Sequence, residues 1–467
     1  MSRIFTAAFL SCAMLHGADW PRFRGPNGAG VDESSTNLPS EFGPSKNVFW
    51  KAGAPFGRSS PILAGNRLYL TASEGDLLIT LCYNAADGKL LWRRELKSVH
   101  KQKVFRANDA ASPSAAADGQ NVYVFFADFG LVSYTKDGKE RWRHALGPFD
   151  NFYGMASSPV VEADLVLMQC DHNAGSFLLA VDKNSGKQRW KTERAGVGMG
   201  WSVPIVTSAA KGQKQVIVTG TTRIDSYYIS TGERVWWTPV TSEGAMGVPV
   251  WNGDSLIAFS SGHDKPWVPS FDSTLAQYDT NKDGRLSKQE FSADKDWGEH
   301  FGWMDANHDG FVDAAEWKAI ENFGQGGEYG ILSIKPGESK GQLPASAVQW
   351  RMKRNLPYVP SPVLYKGVYY MVKDGGITTS LNPVTGEILK QGRAADSLGE
   401  YYASPVAANG KIYLLNEAGK LTVLKAGGDW EVLGVNDMGE ETYATPTIAD
   451  NRIYVRTRSS LYCFGLR

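Results

Sequence analysis

The sequence predicts an all-β fold, an eight-bladed β-propeller carrying a small α-helical module inside its fifth blade. Three observations lead there. A small residue followed by proline recurs at Pro61, Pro113, Pro159, Pro204, Pro249, Pro362, Pro405 and Pro446, at steps of 41 to 52 residues apart from one of 113. Excising about 68 residues from that long step restores the period. Each unit also repeats one order of events: an aliphatic and aromatic strand, a turn, a second strand running into an Asp/Asn-x-Gly-Lys turn, and a last strand ending in tryptophan. Finally, the eighth unit, Pro446 to Arg467, is one strand short, and Asn47-Val48-Phe49-Trp50 supplies a strand of the missing type from the other chain end. Closing the ring with both ends leaves no free sheet edge.

Taken in order, the chain opens with Arg3 and a short apolar run from Ile4 to Leu15, too short to span a bilayer, with small residues at Gly17 and Ala18. Residues 1–17 therefore read as a signal peptide and the protein as exported, periplasmic or secreted. Leu10-Ser11-Cys12 is a poor lipid-attachment match because Phe9 precedes it. Residues 18–46 form an N-terminal extension, and 47–270 carry blades one to four and the first half of blade five. Residues 271–325 are the inserted module, and 326–467 complete the ring. Strands such as Arg67-Leu68-Tyr69-Leu70, Asn121-Val122-Tyr123-Val124 and Lys411-Ile412-Tyr413-Leu414 open units one, two and seven. Trp92, Trp142, Trp190, Trp237 and Trp350 close units.

The insert holds two twelve-residue loops whose oxygen side chains alternate. In the first, Asp279, Asn281 and Asp283 occupy positions 1, 3 and 5, and Gly284 makes the sharp turn at position 6. Arg285 offers its backbone carbonyl, Ser287 stands at position 9 and Glu290 at position 12. The second loop, 26 residues on, repeats this with Asp305, Asn307, Asp309, Gly310, Phe311, Asp313 and Glu316. A hard cation that takes six to eight oxygens, two of them from a closing glutamate, needs this set in this order. Both loops match the EF-hand pattern at every ligand position, so two Ca²⁺ ions are expected. Phe271, Leu275 and Tyr278 precede loop one at helical spacing, Phe301 and Met304 precede loop two, and Trp317, Ile320 and Phe323 follow it. Phe291 and Trp297 are the apolar residues of a short helix between the loops.

Charge balances at 49 bases and 49 acids, but residues 272–325 hold twelve acids and five bases. The positive remainder is dispersed, with no basic run to follow a phosphate backbone, which argues against nucleic acid as a partner. Cys82, Cys170 and Cys463 form no CxxC or vicinal pair and read as small buried hydrophobes, with one long-range disulfide left open.

The unit Ala180-Val181-Asp182-Lys183-Asn184-Ser185-Gly186-Lys187-Gln188-Arg189-Trp190 resembles the tryptophan-docking motif of quinoprotein, or PQQ-type, propellers. Eight such blades are similar to the propeller of the outer-membrane assembly complex. The opening Trp20-Pro21-Arg22-Phe23-Arg24-Gly25-Pro26-Asn27-Gly28 resembles PQQ-like repeat proteins secreted by planctomycetes and acidobacteria. The resemblance implies the fold over residues 20–467, less the insert. It implies that the Trp and Gly of the motif pack neighbouring blades. Quinoprotein alcohol dehydrogenases carry adjacent cysteines against their cofactor, and this chain has none, which counts against pyrroloquinoline quinone here.

Ligand chemistry is expected at one mouth of the channel. The residues three ahead of each opening proline are Arg58, Ala110, Ala156, Trp201, Met246, Val359, Tyr402 and Tyr443. Arg106, Asn108, Asp109, Asn151, Tyr153, Tyr358 and Tyr401 add polar and aromatic surface, and the same pattern also fits plain channel packing. His172 and His263 lie in turns and are not assigned a metal. The reading that joins these points is a calcium-binding, exported, monomeric scaffold that takes a protein or glycan partner at the mouth. The alternatives are an oxidoreductase of the quinoprotein type, a polysaccharide-active enzyme, or an outer-membrane assembly lipoprotein. No catalytic set of residues presents itself.

Overall fold

The computed structural model describes residues 19–102, 104, 108–208, 213–305, 309–324, 326–394 and 396–467. The predicted signal peptide, Cys12, Arg106 and Asn307 lie outside the described residues. Eight antiparallel sheets follow one another around a ring. The blades span 62–97, 116–145, 160–193, 205–239, 250–352, 363–393, 406–437 and 447–464.

Blade stacking explains the apolar runs. The two middle strands of a blade are covered on both faces by its neighbours, so Leu165–Cys170 is buried at every residue. The outer strand is covered on one face only, and Gln188–Glu193 buries Trp190 alone. The eighth blade takes Val48–Gly53 as its outer strand, paired antiparallel with Ser460–Phe464, so both chain ends close one sheet.

All eight blades have a register shift between the third and outer strands. Such a bulge re-aims the side chain that follows it. Six of the residues there are Trp50, Trp92, Trp142, Trp190, Trp236 and Trp350. In blade four the aligned residue is therefore Trp236, which pairs with Ser226, and not Trp237 as the sequence suggested. The indole N–H of Trp142 donates to the Lys183 carbonyl of the next blade at 2.9 Å, and Trp50, Trp92, Trp190 and Trp350 do the same to their neighbours.

Each of these five rings covers a glycine at positive φ. At Gly186, with φ +70, an added Cβ would stand 2.6 Å from the Trp142 ring. Gly186→Ala is expected to lower stability by more than the roughly 1–3 kcal/mol of left-handed strain. Gly65→Ala supplies the strain alone, since Gly65 has φ +58 and open space around it. Comparing the melting temperatures of the two variants separates strain from lost docking.

The extension before blade eight's outer strand does more than the sequence indicated. Trp20 pairs with Leu63 of blade one, and the Pro21 carbonyl accepts from Ala117 of blade two. Asn27 exchanges two hydrogen bonds with Val206 of blade four. Arg24, fully buried, donates to the Ser361 and Pro362 carbonyls of blade six at 2.5 and 2.6 Å. Val31 and Asp32 add a parallel strand to blade seven. Residues 20–32 thus cross the end of the channel where the innermost strands finish, and stop it.

The helical insert leaves blade five between its second strand, Ser255–Ser260, and its third, Gly330–Ile334. It comprises α1 (Phe271–Tyr278), α2 (Lys295–Met304) and α3 (Ala314–Phe323). Ser270, Asp294 and Asp313 cap their N-termini. Phe291, Phe301, Met304, Trp317 and Ile320 form its own core, apart from the propeller's. Gly341–Gln342, downstream of the insert, adds a fifth strand to blade four.

Candidate functional site

Two regions bring chemistry-bearing residues together. The first is the pair of loops in the insert. Leu286 and Val312 face each other in a two-residue antiparallel bridge that joins loop to loop. In loop one, Asp279 accepts from the Asp283 and Gly284 N–H groups at 3.3 and 3.0 Å. Loop two repeats this, with Asp305 accepting from Asp309 and Gly310 at 3.1 and 3.0 Å. Gly284 and Gly310 sit at φ +77 and +90, as the turn requires. The Ser287 N–H and hydroxyl both reach Glu290 at 2.8 Å, while Glu316 accepts from the Asp313 N–H at 3.1 Å as part of a capping box. Partial burial opposes the charge on Glu290, but the Ser287 donors together with the Asn281 and Thr280 N–H groups hold this carboxyl below its usual range.

Among the described residues, no three His, Cys, Asp or Glu side chains converge as a ready metal site. The loop carboxylates turn instead to the loops' own N–H groups. The donor set is all oxygen, from Asp, Asn, Ser and Glu side chains and the Arg285 and Phe311 carbonyls, which suits a hard divalent cation.

The second region is the open end of the channel, a cavity of about 300 Å³. Seven of the eight residues the sequence placed there line it: Arg58, Ala156, Trp201, Met246, Val359, Tyr402 and Tyr443. The eighth, Ala110, does not. The strand register aligns Ala116 with Ile62, so Ala115 takes the place of Pro61 and Ser112 stands three ahead of it. Ser112 does line the cavity. The opening proline of blade two is thus two residues early, an offset that period counting cannot reveal.

Of the flanking residues, Asn108, Tyr153 and Tyr358 line the cavity, while Asn151 and Tyr401 are buried and do not line it. Asp109 sits 3.3 Å from the Arg58 guanidinium, which also lies 4.7 Å over the Tyr443 ring and 4.9 Å over Phe56. Tyr153 packs edge-on against Trp201, whose indole donates to the Gly154 carbonyl at 2.7 Å.

Below the mouth lies a girdle of hydroxyls that the sequence reading missed. Ser114 accepts from the Ser60 N–H, Ser158 from Ser114, Ser361 from Val248, Ser404 from Ser361, Thr445 from Ser404 and Ser60 from Thr445, all at 2.9–3.0 Å. Each bond runs from one blade to the next. Across blades three to five, where Val203 and Val248 replace the hydroxyl residues, Ser157 and Ser202 make the link through the Ser202 and Gly247 carbonyls. A Ser or Thr before Pro61, Pro159, Pro362, Pro405 and Pro446 signals this ring, once the position is compared from blade to blade. Phe23, from the crossing segment, closes the cavity from beneath.

The histidines and cysteines fall elsewhere. His172 is buried edge-on between Phe149 and Phe177, and burial lowers its pKa to about 4. His263 is exposed and pairs with Glu243. Cys82, Cys170 and Cys463 are buried and unbridged, one each in blades one, three and eight.

Between the insert and the ring, Met304, Glu316 and Ile320 face the loops of blades three and four across a cleft of about 560 Å³. Behind those loops lies a charge cluster the sequence did not reveal. Arg194 joins Asp171 at 2.9 Å to Asp225 at 2.8 Å, all three fully buried. No helix among the described residues is long and apolar enough to cross a membrane.

The chain matches no curated protein. Among solved structures, it aligns with BamB from Moraxella catarrhalis at 14% identity and a TM-score of 0.55, over 89% of this chain and 98% of that one. A europium-containing methanol dehydrogenase aligns at 10% identity and TM-score 0.60, over 96% and 98%. The quinohemoprotein alcohol dehydrogenase of Comamonas testosteroni aligns at 11% identity and 0.57, over 96% and 80%. At such identities the likeness is one of fold.

The cavity itself tests whether a quinone cofactor would fit. Pyrroloquinoline quinone carries three carboxylates, yet among the described lining residues Arg58 is the single cation, and it already faces Asp109. The residues present do not suit such a trianion. The family model described as outer membrane protein assembly factor BamB matches residues 43–202 and 174–467, the whole ring, and the chain belongs to that family of PQQ-type propellers.

Proposed function

We propose that this protein is an exported scaffold that binds two calcium ions in an EF-hand pair and receives a partner at the aromatic mouth of its propeller. The observation that carries the calcium reading is the pairing of two complete loops. Each has its oxygen donors in the same order, each has its turn glycine at positive φ, and Leu286 and Val312 lock them back to back. Asp279, Asn281, Asp283, Ser287 and Glu290, with the Arg285 carbonyl, would hold one ion. Asp305, Asn307, Asp309, Asp313 and Glu316, with the Phe311 carbonyl, would hold the other. The ions would order the insert and draw its helices onto a common core.

Membership of a family described by an assembly factor supports a binding role over catalysis, as does a cavity whose residues suit no quinone. Isothermal titration of the full chain with Ca²⁺ is expected to show two sites. A flat titration of metal-stripped protein would remove calcium from the proposal.

A further inference from the structure

We propose that the channel cavity takes one neutral sugar ring, the terminal pyranose of a glycan. This names a partner for the scaffold reading above and does not depend on calcium. Shape comes first. The channel is blind, because Phe23 and the segment around it close the far end. About 300 Å³ lies at the small end of ligand cavities, which run from roughly 300 to 1,000 Å³. That is room for one ring, entered from the open mouth, with the rest of a chain left outside.

The wall chemistry narrows the class. The six hydroxyl oxygens of the girdle each accept an N–H from an adjacent blade, so their positions are fixed. Each keeps one proton to give and one lone pair to offer. A ligand that both donates and accepts around its whole edge matches such a wall, and the hydroxyls of a sugar do so. A carboxylate only accepts.

Charge points the same way. The guanidinium of Arg58 faces Asp109 at 3.3 Å, so the mouth carries little net charge. An anion entering it would lose hydration without gaining a counter-charge of its own. Trp201, Tyr153, Tyr402 and Tyr443 add flat apolar surfaces at the rim, with Tyr402 and Tyr443 rings 5.5 Å apart. The C–H face of a pyranose packs on surfaces of this kind.

The test uses the full chain and methyl glycosides of glucose, galactose and mannose, followed by tryptophan fluorescence and calorimetry. Glucuronic acid and pyrroloquinoline quinone serve as anionic comparators. At least one neutral glycoside is expected to bind in the millimolar range or tighter, with the anions at least about tenfold weaker. Trp201→Ala is expected to weaken that binding about tenfold or more, and Trp201→Phe to keep most of it. Tyr402→Ala, at the exposed rim, provides the same readout should Trp201→Ala fail to fold.

Three results would overturn the proposal: no neutral glycoside bound at about 10 mM, tighter binding of either anion, or binding untouched by both rim variants. A peptide bound at the mouth in place of any glycoside would also reject it, while leaving the scaffold reading standing. Turnover of a glycoside or a quinone-dependent oxidation in the same samples would instead reject the scaffold reading.

Discussion

Replacing Glu290 and Glu316 together by glutamine is expected to abolish the protection that calcium confers on residues 271–323 against hydrogen exchange, and to leave the blades unchanged. These two carboxylates close the loops, and each would give a calcium ion two of its oxygens. Glutamine keeps their size but offers one neutral oxygen. The insert's own core is small beside the largest of those in the blades. Its core is a handful of side chains around Phe291, which stacks on Trp317 with centroids 6.2 Å apart and planes 12° from parallel. Calcium at 100 to 1,000 times its dissociation constant would add roughly 3–4 kcal/mol, a rise of about 100- to 1,000-fold in protection. The Leu286–Val312 bridge makes the loops one unit, so Glu290→Gln alone is expected to weaken the second site as well. The ring should not respond, since each blade is stabilised mainly by its neighbours. Equal protection with and without calcium in the natural protein would count against the ion-ordered insert.

How much of this could be read beforehand depends on the reach of each interaction. The blades were legible because their signals are local. Middle strands are covered on both faces, so Leu165–Cys170 and its counterparts are nearly continuous apolar runs, and the Asp182–Trp190 turn repeats by type. The displaced outer strand at Trp50 was legible because one blade lacked its last member. The pairing of the two acidic loops was legible because each pattern lies within twelve consecutive residues.

What escaped is set by contacts far apart in sequence. The hydrogen bonds from Arg24 to Ser361 and Pro362 span 337 and 338 residues. Nothing in Trp20–Gly28 marks it as a floor for the channel. The offset at blade two has a related cause. Proline was taken as the marker, whereas backbone register sets the position, and Ala115 fills it there. Trp237 was preferred to Trp236 because the bulge that selects between them leaves no trace in the two adjacent tryptophans. The Arg194 cluster draws Asp171, Arg194 and Asp225 from three separate segments, and no spacing rule connects them.

That cluster carries the other large expected effect. Arg194→Met is expected to destabilise the protein by about 3–5 kcal/mol, read as a fall in the urea midpoint. The side chain bridges blades three and four from a fully buried position, with Nε and Nη2 on Asp171 and Nη1 on Asp225 and the Tyr227 hydroxyl. Methionine fills a similar volume and removes the charge. Asp225 keeps the Arg223 Nε at 2.9 Å. Among the described residues, Asp171 keeps only the neutral Gln169 amide, at 2.6 Å. Burial already raises the Asp171 pKa against the pull of Arg194, and losing that pull raises it further. A carboxyl whose folded pKa lies above its unfolded value costs stability above the folded pKa, and the cost fades as pH falls. The defect of Arg194→Met should therefore be largest near neutrality and shrink on acidification. Neutralising all three members, with Asp171→Asn and Asp225→Asn added, should recover most of the loss, because an uncompensated buried charge costs more than an absent pair. A midpoint as low in the triple variant as in the single one would show that Arg194 acts through packing, and a defect independent of pH would show the same.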